Sequence, residues 1–254
     1  MLEVRNVSKV YGGKINYRAL ANLNLTIEQG KFVGVMGPSG SGKTTLLNVV
    51  ATIDKPTVGE VLIDGKNTAQ LSKRQLALFR RKELGFVFQD FNLLPTLTVK
   101  ENIVFPLTLE NVSIKEQDRR VQRIADKLGI TPLLDKRTYE ISGGQCQRTA
   151  IARAIVHEPK LILADEPTGN LDSKSARDVL ETLQRLNQEE GATMMMVTHD
   201  AKAASYCDRV IFIKDGNLYQ ELDRTGNQQS FFQEIMQIMS MIGGADDEFS
   251  AVRL

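Results

Sequence analysis

The sequence has little net charge and few cysteines. Its 254 residues carry 32 Lys and Arg against 31 Asp and Glu, which gives a formal net charge of +1. Proteins that bind nucleic acid or anionic lipid through charge carry a strong basic excess, so neither partner is expected here. The two cysteines, Cys146 and Cys207, lie far apart in no metal-type spacing. A reduced, cytosolic protein is therefore favoured over a disulfide framework.

Long apolar segments are also lacking. Runs such as MMMV and IVFPL are far shorter than a membrane-spanning helix. The N-terminal MLEVRNVSKVYGG has no apolar core of the kind that signal peptides contain. We therefore expect that any work at a membrane depends on a separate partner protein.

Apolar residues form patterns that predict strands alternating with helices. Apolar and polar residues alternate at 2–8 and 19–30, as they do in half-buried strands. More continuous apolar runs, typical of strands buried on both faces, are found at 31–37, 160–167, 192–200 and 209–216. Such strands alternating with helices imply a sheet covered on both faces. The sequence thus predicts an α/β fold with a mixed or parallel sheet and an N-terminal antiparallel β subdomain.

The middle third of the chain has a different character, because polar helices with apolar stripes dominate it. We expect an inserted α-helical subdomain at about 89–155. The core around it would consist of 1–88 and 156–226, so that the main domain is 1–226. A length of 254 residues suits such a core with an inserted subdomain.

Residues 227–254 are expected to form a C-terminal helix and a mobile tail. In that helix an apolar stripe recurs at i, i+4, i+7 and i+11. It consists of Phe231, Ile235, Ile238 and Ile242. The stripe has two interpretations: it packs on the chain's own core, or it docks a second subunit or a separate membrane protein.

A glycine-rich segment follows the apolar run at 31–37 and fits the phosphate-loop pattern G-x-x-x-x-G-K-[ST] in full. With the threonine that follows, its residues are Gly37, Pro38, Ser39, Gly40, Ser41, Gly42, Lys43, Thr44 and Thr45. Glycines let successive N–H groups surround phosphate oxygens without a clashing Cβ. Lys43 would reach the β- and γ-phosphates of ATP, and the Thr44 hydroxyl would ligate Mg²⁺. A glycine turn without a ligand is the weaker alternative, because the pattern is complete.

Acidic residues end one buried strand, and a histidine ends the next. Asp165 and Glu166 follow an apolar run, at the strand end where α/β sheets bind ligands. Asp165 would hold the Mg²⁺ ion, and Glu166 would orient or activate the attacking water. His199 would contact the γ-phosphate; the alternatives are a helix cap for the acidic pair and a structural role for the histidine.

Two further residues are candidates at the rim of the same site. Gln89, in VFQDF, is an exposed amide or touches Mg²⁺ or water at the junction of core and helical insertion. Tyr11 precedes a glycine turn, where an aromatic ring can stack on adenine or simply belong to the core.

A second candidate phosphate-facing loop, ISGGQ, comes just before a helix-like run. Ser142, Gly143, Gly144 and Gln145 would present backbone N–H groups at a helix N-terminus, which is an anion site. This loop has no lysine. Ser142 can also simply cap the helix.

Taken together, these motifs resemble the ATP-binding cassette (ABC) ATPases. GPSGSGKT, FQD, ISGGQ, LILADEP, GNLD and THD stand in that family's order over nearly the whole chain. The resemblance implies a P-loop NTPase core of the RecA-like type that binds ATP and Mg²⁺. Two copies would pack head to tail, so that Ser142, Gly143, Gly144, Gln145 and Asp172 serve the other subunit's ATP. Lys43, Glu166 and His199 would be catalytic, and Thr44, Gln89 and Asp165 would hold the metal.

Two positions depart from the family's usual signature. Ile141 stands where leucine is commoner, and Cys146 stands where glutamine or lysine is usual. The first change is nearly isosteric. The second lies beside the anion loop, where a helix N-terminus can lower the pKa of a thiol.

Segments away from the phosphates resemble a particular branch. EPTGNLDS is similar to macrolide-efflux, lipoprotein-releasing and cell-division ATPases, and other segments resemble bacitracin-resistance-type ATPases of bacterial peptide-antibiotic transporters. The resemblance implies a peripheral subunit at the cytoplasmic face of the bacterial membrane. It would power a separate permease docked near 89–94 and bind no nucleic acid. The alternatives are a soluble ABC ATPase acting on DNA or ribosomes and a small-molecule kinase.

Overall fold

The computed structural model describes residues 1–13 and 16–243 of the chain. The expected mobile tail lies outside these residues from position 244 onward. The strands of the described residues are β1 (Leu2–Tyr11), β2 (Tyr17–Ile27), β3 (Phe32–Met36), β4 (Val58–Ile63), β5 (Lys66–Asn67), β6 (Leu84–Phe88), β7 (Leu161–Asp165), β8 (Met194–Val197), β9 (Arg209–Lys214) and β10 (Asn217–Asp223). The α-helices are α1 (Lys43–Val50), α2 (Lys73–Glu83), α3 (Val99–Leu109), α4 (Ile114–Lys127), α5 (Gly143–Ile155), α6 (Ser173–Glu190), α7 (Ala201–Ala204) and α8 (Gln228–Gly243).

The chain divides into two compact units. The first contains Met1–Gln70 and Met196–Leu254, and the second is Leu71–Met195. The boundary near residue 195 falls inside β8. The subdomain limits expected from sequence, with an insertion at 89–155, stay a prediction.

The first unit contains an antiparallel sheet with the strand order β2-β1-β4-β5. In β1, Leu2 pairs with Ile27 on one side and with Ile63 on the other. Burial alternates along the start of this strand, where Leu2 and Val4 are buried. One face of the sheet is therefore apolar, as the alternating pattern predicts.

The same unit contains a second group of strands with mixed directions. All five residues of β3 are buried, as its continuous apolar run predicts. β3 pairs in parallel with β9, and β9 pairs antiparallel with β10. Parallel and antiparallel pairs together with eight α-helices in the described residues give the expected α/β fold with a mixed sheet.

The C-terminal helix α8 belongs to the first unit and packs against α7. Its apolar stripe is buried: Phe231, Ile235, Ile238 and Ile242 are each less than a tenth exposed. The side chain of Gln228 donates a hydrogen bond to the Ser205 hydroxyl at the end of α7 (3.1 Å). The stripe thus packs on the chain's own core.

The second unit combines a parallel pair of strands with helices. β6 pairs with β7 in register from Leu84 and Leu161 to Phe88 and Asp165. Helix α5 packs against β6 and α3. Gly85 allows this close packing, because a Cβ there would collide with the backbone carbonyl of Ala154. Within 1–13 and 16–243, no helix combines the length and apolarity that a membrane crossing requires.

Candidate active site

The phosphate loop joins β3 to α1 in the first unit. Three of its glycines have positive φ: 151° at Gly37, 77° at Gly40 and 105° at Gly42. A Cβ at Gly37 would collide with the Ile213 carbonyl oxygen, and one at Gly42 would lie 2.5 Å from the Ala19 carbonyl oxygen. Glycine is therefore required at both positions for conformation and for space.

Lys43 is the first residue of α1 and folds back over the loop. Its Nζ donates hydrogen bonds to the carbonyl oxygens of Gly37 (2.9 Å) and Pro38 (2.8 Å), and its side chain is buried. The Ser41 hydroxyl is also buried and has no hydrogen-bond partner among the described residues. A buried ammonium group beside an unpartnered hydroxyl and the first turn of a helix forms a cradle suited to an anion such as phosphate.

Thr44 and Thr45 follow Lys43 in the first turn of α1. Thr44 is exposed and Thr45 is half-buried. A threonine hydroxyl, the Asp165 carboxylate and the Gln89 carbonyl are hard oxygen donors, which Mg²⁺ prefers. No group of three or more His, Cys, Asp or Glu suited to a metal occurs among the described residues. A Mg²⁺ site does not need such a group, because this ion usually binds one or two protein carboxylates together with phosphates and water.

Tyr11 lies at the end of β1 in the first unit, and the residue is 39% exposed. Its hydroxyl donates a hydrogen bond to Asp54 Oδ2 (2.9 Å), and Lys9 Nζ lies 4.8 Å from the ring centroid. Lys9 also pairs with Asp54 (2.5 Å). Burial opposes ionisation of Asp54, but the hydrogen bonds from Lys9 and Tyr11 hold its pKa below the ordinary value. The ring is thus fixed at its hydroxyl and covered by an ammonium group on one face.

His199 follows β8 in the first unit and is exposed. The residue before it, Thr198, donates its backbone N–H to the Val35 carbonyl of β3 (3.1 Å). The residue after it, Asp200, caps α7 by accepting the Lys202 N–H (2.8 Å). Both neighbours are therefore anchored, and the imidazole projects from a fixed position.

Asp165 and Glu166 end β7 in the second unit, and both are half-buried. Glu166 has φ 45°, in the left-handed region that residues with a Cβ seldom adopt. Its carbonyl accepts the Gly169 N–H (3.0 Å) and so closes the turn that follows. Strained backbone of this kind clusters at functional sites, where the surrounding structure enforces it.

Gln89 follows β6 in the same unit and is exposed. Its side-chain Nε2 donates to Asn170 Oδ1 (3.2 Å). Asn170 Nδ2 donates in turn to the Gln89 carbonyl (3.3 Å) and to Asp90 Oδ1 (2.7 Å). The structure thus joins the predicted metal-facing glutamine to the GNLD loop.

The ISGGQ loop forms the start of α5, as expected. Ser142 caps the helix: its Oγ accepts the Gln145 N–H (3.4 Å), and the Gln145 side chain accepts the Ser142 N–H (2.9 Å). A Cβ on Gly143 would lie 3.3 Å from Leu171, and one on Gly144 would lie 2.9 Å from Ser175. Gly144 is therefore packed closely against α6. The first turn still points its N–H groups outward along the helix axis.

Asp172 caps the neighbouring helix α6. Its Oδ1 accepts the backbone N–H groups of Lys174 (3.0 Å) and Ser175 (3.1 Å). Hydrogen bonds from the Ser175 side chain and backbone hold the pKa of Asp172 below its ordinary value. Asp172 is exposed.

Cys146 does not have an activated thiol. Its side chain is buried, and its Sγ lies 3.5 Å from the Thr138 carbonyl oxygen. Burial raises the pKa of the Cys146 thiol, whereas the sequence allowed a lowered value at the helix N-terminus. Burial removes water from the thiolate and so disfavours the charged form.

Sequence reasoning missed three side chains that hold the candidate site of the second unit. Asn170 lies within the GNLD motif but was not singled out. Gln147 and Arg153 lie on α5; Arg153 donates to the carbonyl oxygens of Phe91 (2.8 Å) and Asn92 (2.5 Å). Phe91 and Asn92 both have positive φ, 60° and 48°. For Gln147 and Arg153, the signal in the sequence was a polar residue within an otherwise apolar helix face.

Comparison with known proteins identifies the class. The family described as ABC transporter matches residues 20–169. The ABC transporter ATP-binding protein YxdL of Bacillus subtilis is 58% identical over 100% of this chain and 99% of its own length. The bacitracin export ATP-binding protein BceA of Halalkalibacterium halodurans is 50% identical over 98% of this chain and 99% of its own length.

A solved structure agrees. It is the dimeric ATP-binding cassette MJ0796 of Methanocaldococcus jannaschii in a post-hydrolysis state with ADP and Pi. Its TM-score is 0.81 at 42% identity, covering 89% of this chain and 100% of that chain. The chain therefore belongs to the ABC transporter family, as an ATP-binding cassette. It is an ATPase that converts ATP and water to ADP and phosphate.

Proposed function

We propose that this ATPase powers a separate membrane permease that exports, or confers resistance to, cell-wall-targeting peptide antibiotics. The observation that carries the substrate class is the 50% identity to the bacitracin export protein BceA over nearly all of both chains. The matched length is 98% of this chain, so it extends beyond the phosphate-binding motifs. The subunit would sit at the cytoplasmic face of the bacterial membrane.

The phosphate loop binds the ATP phosphates in this proposal. Gly37 to Gly42 supply backbone N–H groups, and Lys43 exchanges its loop carbonyls for β- and γ-phosphate oxygens. Buried donors in a water-poor cradle stabilise negative charge more strongly than exposed ones do. Tyr11 stacks its uncovered face on the adenine ring.

The metal would be held by the Thr44 hydroxyl, the Asp165 carboxylate and the Gln89 carbonyl oxygen. When bound, Mg²⁺ would neutralise charge on the β- and γ-phosphates. Glu166 orients the attacking water and accepts its proton. His199 donates a hydrogen bond to the γ-phosphate, which stabilises charge as the bond to the leaving oxygen breaks.

Two copies of the chain would form a head-to-tail dimer that sandwiches two ATP molecules. Ser142, Gly143, Gly144 and Gln145 would then bind the γ-phosphate held by the other copy, and Asp172 would face the same interface. The lack of lysine in this loop is explained, because the other copy supplies one. The dimeric state of the related cassette MJ0796 supports this arrangement.

The permease would dock on the second unit near 89–94. A cavity of 190 Å³ is lined there by residues that include Phe91, Leu93 and Tyr139. Tyr139 is 77% exposed and Leu94 is 41% exposed. An open cavity with an aromatic rim suits the insertion of an apolar side chain from a partner.

The catalytic part is tested with Glu166→Gln. This variant should bind ATP as the wild type does but hydrolyse it very slowly, because the amide cannot accept a proton. Size-exclusion chromatography should then show an ATP-dependent dimer. Full hydrolysis by Glu166→Gln would remove this residue from the mechanism.

The substrate class is tested in the native host. Lys43→Ala in the chromosomal copy should sensitise cells to bacitracin or a lantibiotic, and the protein should co-purify with a multi-span membrane protein. The alternative is a lipoprotein-releasing, macrolide-efflux or cell-division complex. Unchanged sensitivity to peptide antibiotics together with failed lipoprotein sorting, macrolide efflux or division would favour that alternative.

A further inference from the structure

Asn170 makes three hydrogen bonds to two consecutive residues of another loop. Its Nδ2 donates to the Gln89 carbonyl (3.3 Å) and to Asp90 Oδ1 (2.7 Å). Its Oδ1 accepts from Gln89 Nε2 (3.2 Å). The loops are 81 residues apart in sequence and lie in the same unit. One exposed asparagine therefore uses both ends of its carboxamide to bind Gln89.

The chemistry of these partners fixes which way both carboxamides point. A backbone carbonyl and a carboxylate only accept hydrogen bonds, so the nitrogen of Asn170 must face Gln89 O and Asp90 Oδ1. The oxygen of Asn170 then faces the Gln89 side chain. Gln89 must donate a hydrogen bond from its NH₂ group, because two amide oxygens cannot hydrogen-bond to each other. The orientation of Gln89 follows from this chain of donors and acceptors.

The Gly169 backbone limits rotation of the Gln89 carboxamide on one side. A Cβ on Gly169 would lie 2.9 Å from both Cδ and Nε2 of Gln89, so the carboxamide packs directly on the bare glycine backbone. Beyond Gln89, the loop is anchored by Arg153, which binds the carbonyl oxygens of Phe91 and Asn92. Gly169 thus packs against the Gln89 carboxamide, and Arg153 holds the backbone of the loop that follows Gln89.

We propose that Asn170 is a positioning residue that presents the Gln89 side-chain oxygen, rather than its nitrogen, to the nucleotide. Only the oxygen can ligate a divalent cation or accept a hydrogen bond from water, whereas the NH₂ group would repel the metal. This inference rests on the proposed role of Gln89. Partners that orient a metal ligand typically change metal affinity or activity about 10- to 100-fold when removed.

Three variants separate the contributions of Asn170. Asn170→Ala removes all three hydrogen bonds. Asn170→Asp keeps an acceptor for Gln89 Nε2, but it loses the donor to the Gln89 carbonyl and places a second carboxylate against Asp90. The double variant Asn170→Asp with Asp90→Asn reverses the direction of that bond, because the new amide donates to the new carboxylate. Asn24→Ala, which removes an exposed asparagine with two hydrogen bonds elsewhere in the chain, is the matched control.

The first measurement needs no nucleotide. Side-chain NH₂ resonances of Gln89 are assigned in ¹⁵N-labelled protein by their disappearance in Gln89→Ala. In the wild type and the double variant, the two protons should be well separated and slow to exchange. In Asn170→Ala they should move to the shifts of a free glutamine. Identical Gln89 resonances in Asn170→Ala and wild type would overturn the proposal.

The second measurement is the Mg²⁺ concentration that gives half-maximal ATP hydrolysis. It should rise about 10-fold or more in Asn170→Ala and Asn170→Asp, and fall back in the double variant. Asn24→Ala should match the wild type. In a Gln89→Ala background, Asn170→Ala should have no further effect, because Asn170 acts through Gln89.

The outcomes test the role of Gln89 and the role of Asn170 separately. If Gln89→Ala leaves the Mg²⁺ dependence unchanged, the proposed role of Gln89 fails. If Gln89→Ala changes that dependence while Asn170→Ala does not, the role of Asn170 alone is rejected. Equal losses from Asn170→Ala in both backgrounds would mean that it acts by another route, which also rejects it.

Discussion

The side-chain nitrogen of Gln147 lies 2.6 Å from the carbonyl oxygen of Pro167. The same nitrogen donates to the Phe88 carbonyl at 3.2 Å, and Gln147 is fully buried. Pro167 follows Glu166, and Phe88 precedes Gln89. One amide on α5 thus ties together the backbone beside two residues of the candidate site, on the helix that begins with the ISGGQ loop.

Replacing Gln147 with leucine should destabilise the protein. Leucine fills similar space but leaves the Pro167 carbonyl without this donor, whereas the Phe88 carbonyl still accepts the Phe91 N–H (3.2 Å). An unsatisfied buried group costs about 1–3 kcal/mol. Urea unfolding should therefore show a loss of at least about 1 kcal/mol. Gln122→Leu is the control: Gln122 is exposed and bonds Asp126 on the surface of α4, so its change should stay within about 0.5 kcal/mol. Equal effects from the two variants would show that the Gln147 bonds contribute nothing.

Much of the fold was predictable from the sequence because it depends on local patterns. The continuous apolar run of β3, the alternation in β1 and the complete phosphate-loop motif each correspond to short stretches with distinct physical requirements. Together with the order of the motifs, they predicted the α/β fold and the ABC family correctly. The buried stripe of α8 followed its helical period, but periodicity alone could not say what the stripe packs against.

The contacts that organise the candidate site were not predictable. Asn170 meets Gln89 across 81 residues, and Gln147 meets Phe88 across 59. Nothing in a single sequence fixes such long-range pairs. Cys146 illustrates a second limit, because its position at a helix start suggested a lowered thiol pKa while tertiary burial raises it. Desolvation depends on packing that local sequence does not reveal.

Tyr11 should contribute to binding of the base and not of the phosphates. Because Lys9 covers one face of the ring, adenine can stack only on the other. Loss of an aromatic–base stack costs about 1–3 kcal/mol, so Tyr11→Ala should weaken ATP binding about 5- to 150-fold. Tyr11→Phe keeps the ring and should bind ATP much more tightly than Tyr11→Ala.

Calorimetric titration with inorganic tripolyphosphate provides the control for Tyr11. This ligand has no base, so its affinity should be the same for wild type and Tyr11→Ala. If Tyr11→Ala weakens the binding of tripolyphosphate as much as the binding of ATP, the tyrosine supports the fold of the site and does not stack on adenine.

Alkylation of Cys146 should be slow and should require high pH. A raised pKa means less thiolate at any given pH. The alkylation rate of Cys146 should therefore rise at a higher pH than the rate of a free thiol does. Iodoacetamide labelling between about pH 7 and pH 10, followed by peptide mass spectrometry, resolves Cys146 from Cys207. Burial raises the pKa of Cys207 still more strongly, so its alkylation should require a still higher pH. An inflection for Cys146 below that of a free thiol would contradict the structure.

The ISGGQ loop should act on the nucleotide held by the other copy of the chain. Lys43→Ala and Ser142→Arg should each inactivate a homodimer, because both of its sites are then damaged. In a mixed dimer, the two lesions fall in the same site, and the other site has an intact Lys43 and an intact Ser142. Mixing two inactive proteins should therefore restore ATPase activity, to at most about half of the wild-type rate per mixed dimer if the sites act independently.

Two controls make this experiment decisive. Ser142 caps α5, and loss of such a cap costs about 0.5–2 kcal/mol, so the melting temperature of Ser142→Arg must show that it is folded at the assay temperature. A mixed dimer of wild type and Lys43→Ala shows whether one intact site can work alone. If that dimer hydrolyses ATP while the complementing pair forms readily and stays inactive, the loop acts within its own chain. In that case every chain with a working Lys43 would carry its own damaged ISGGQ loop, and no mixing ratio would restore activity.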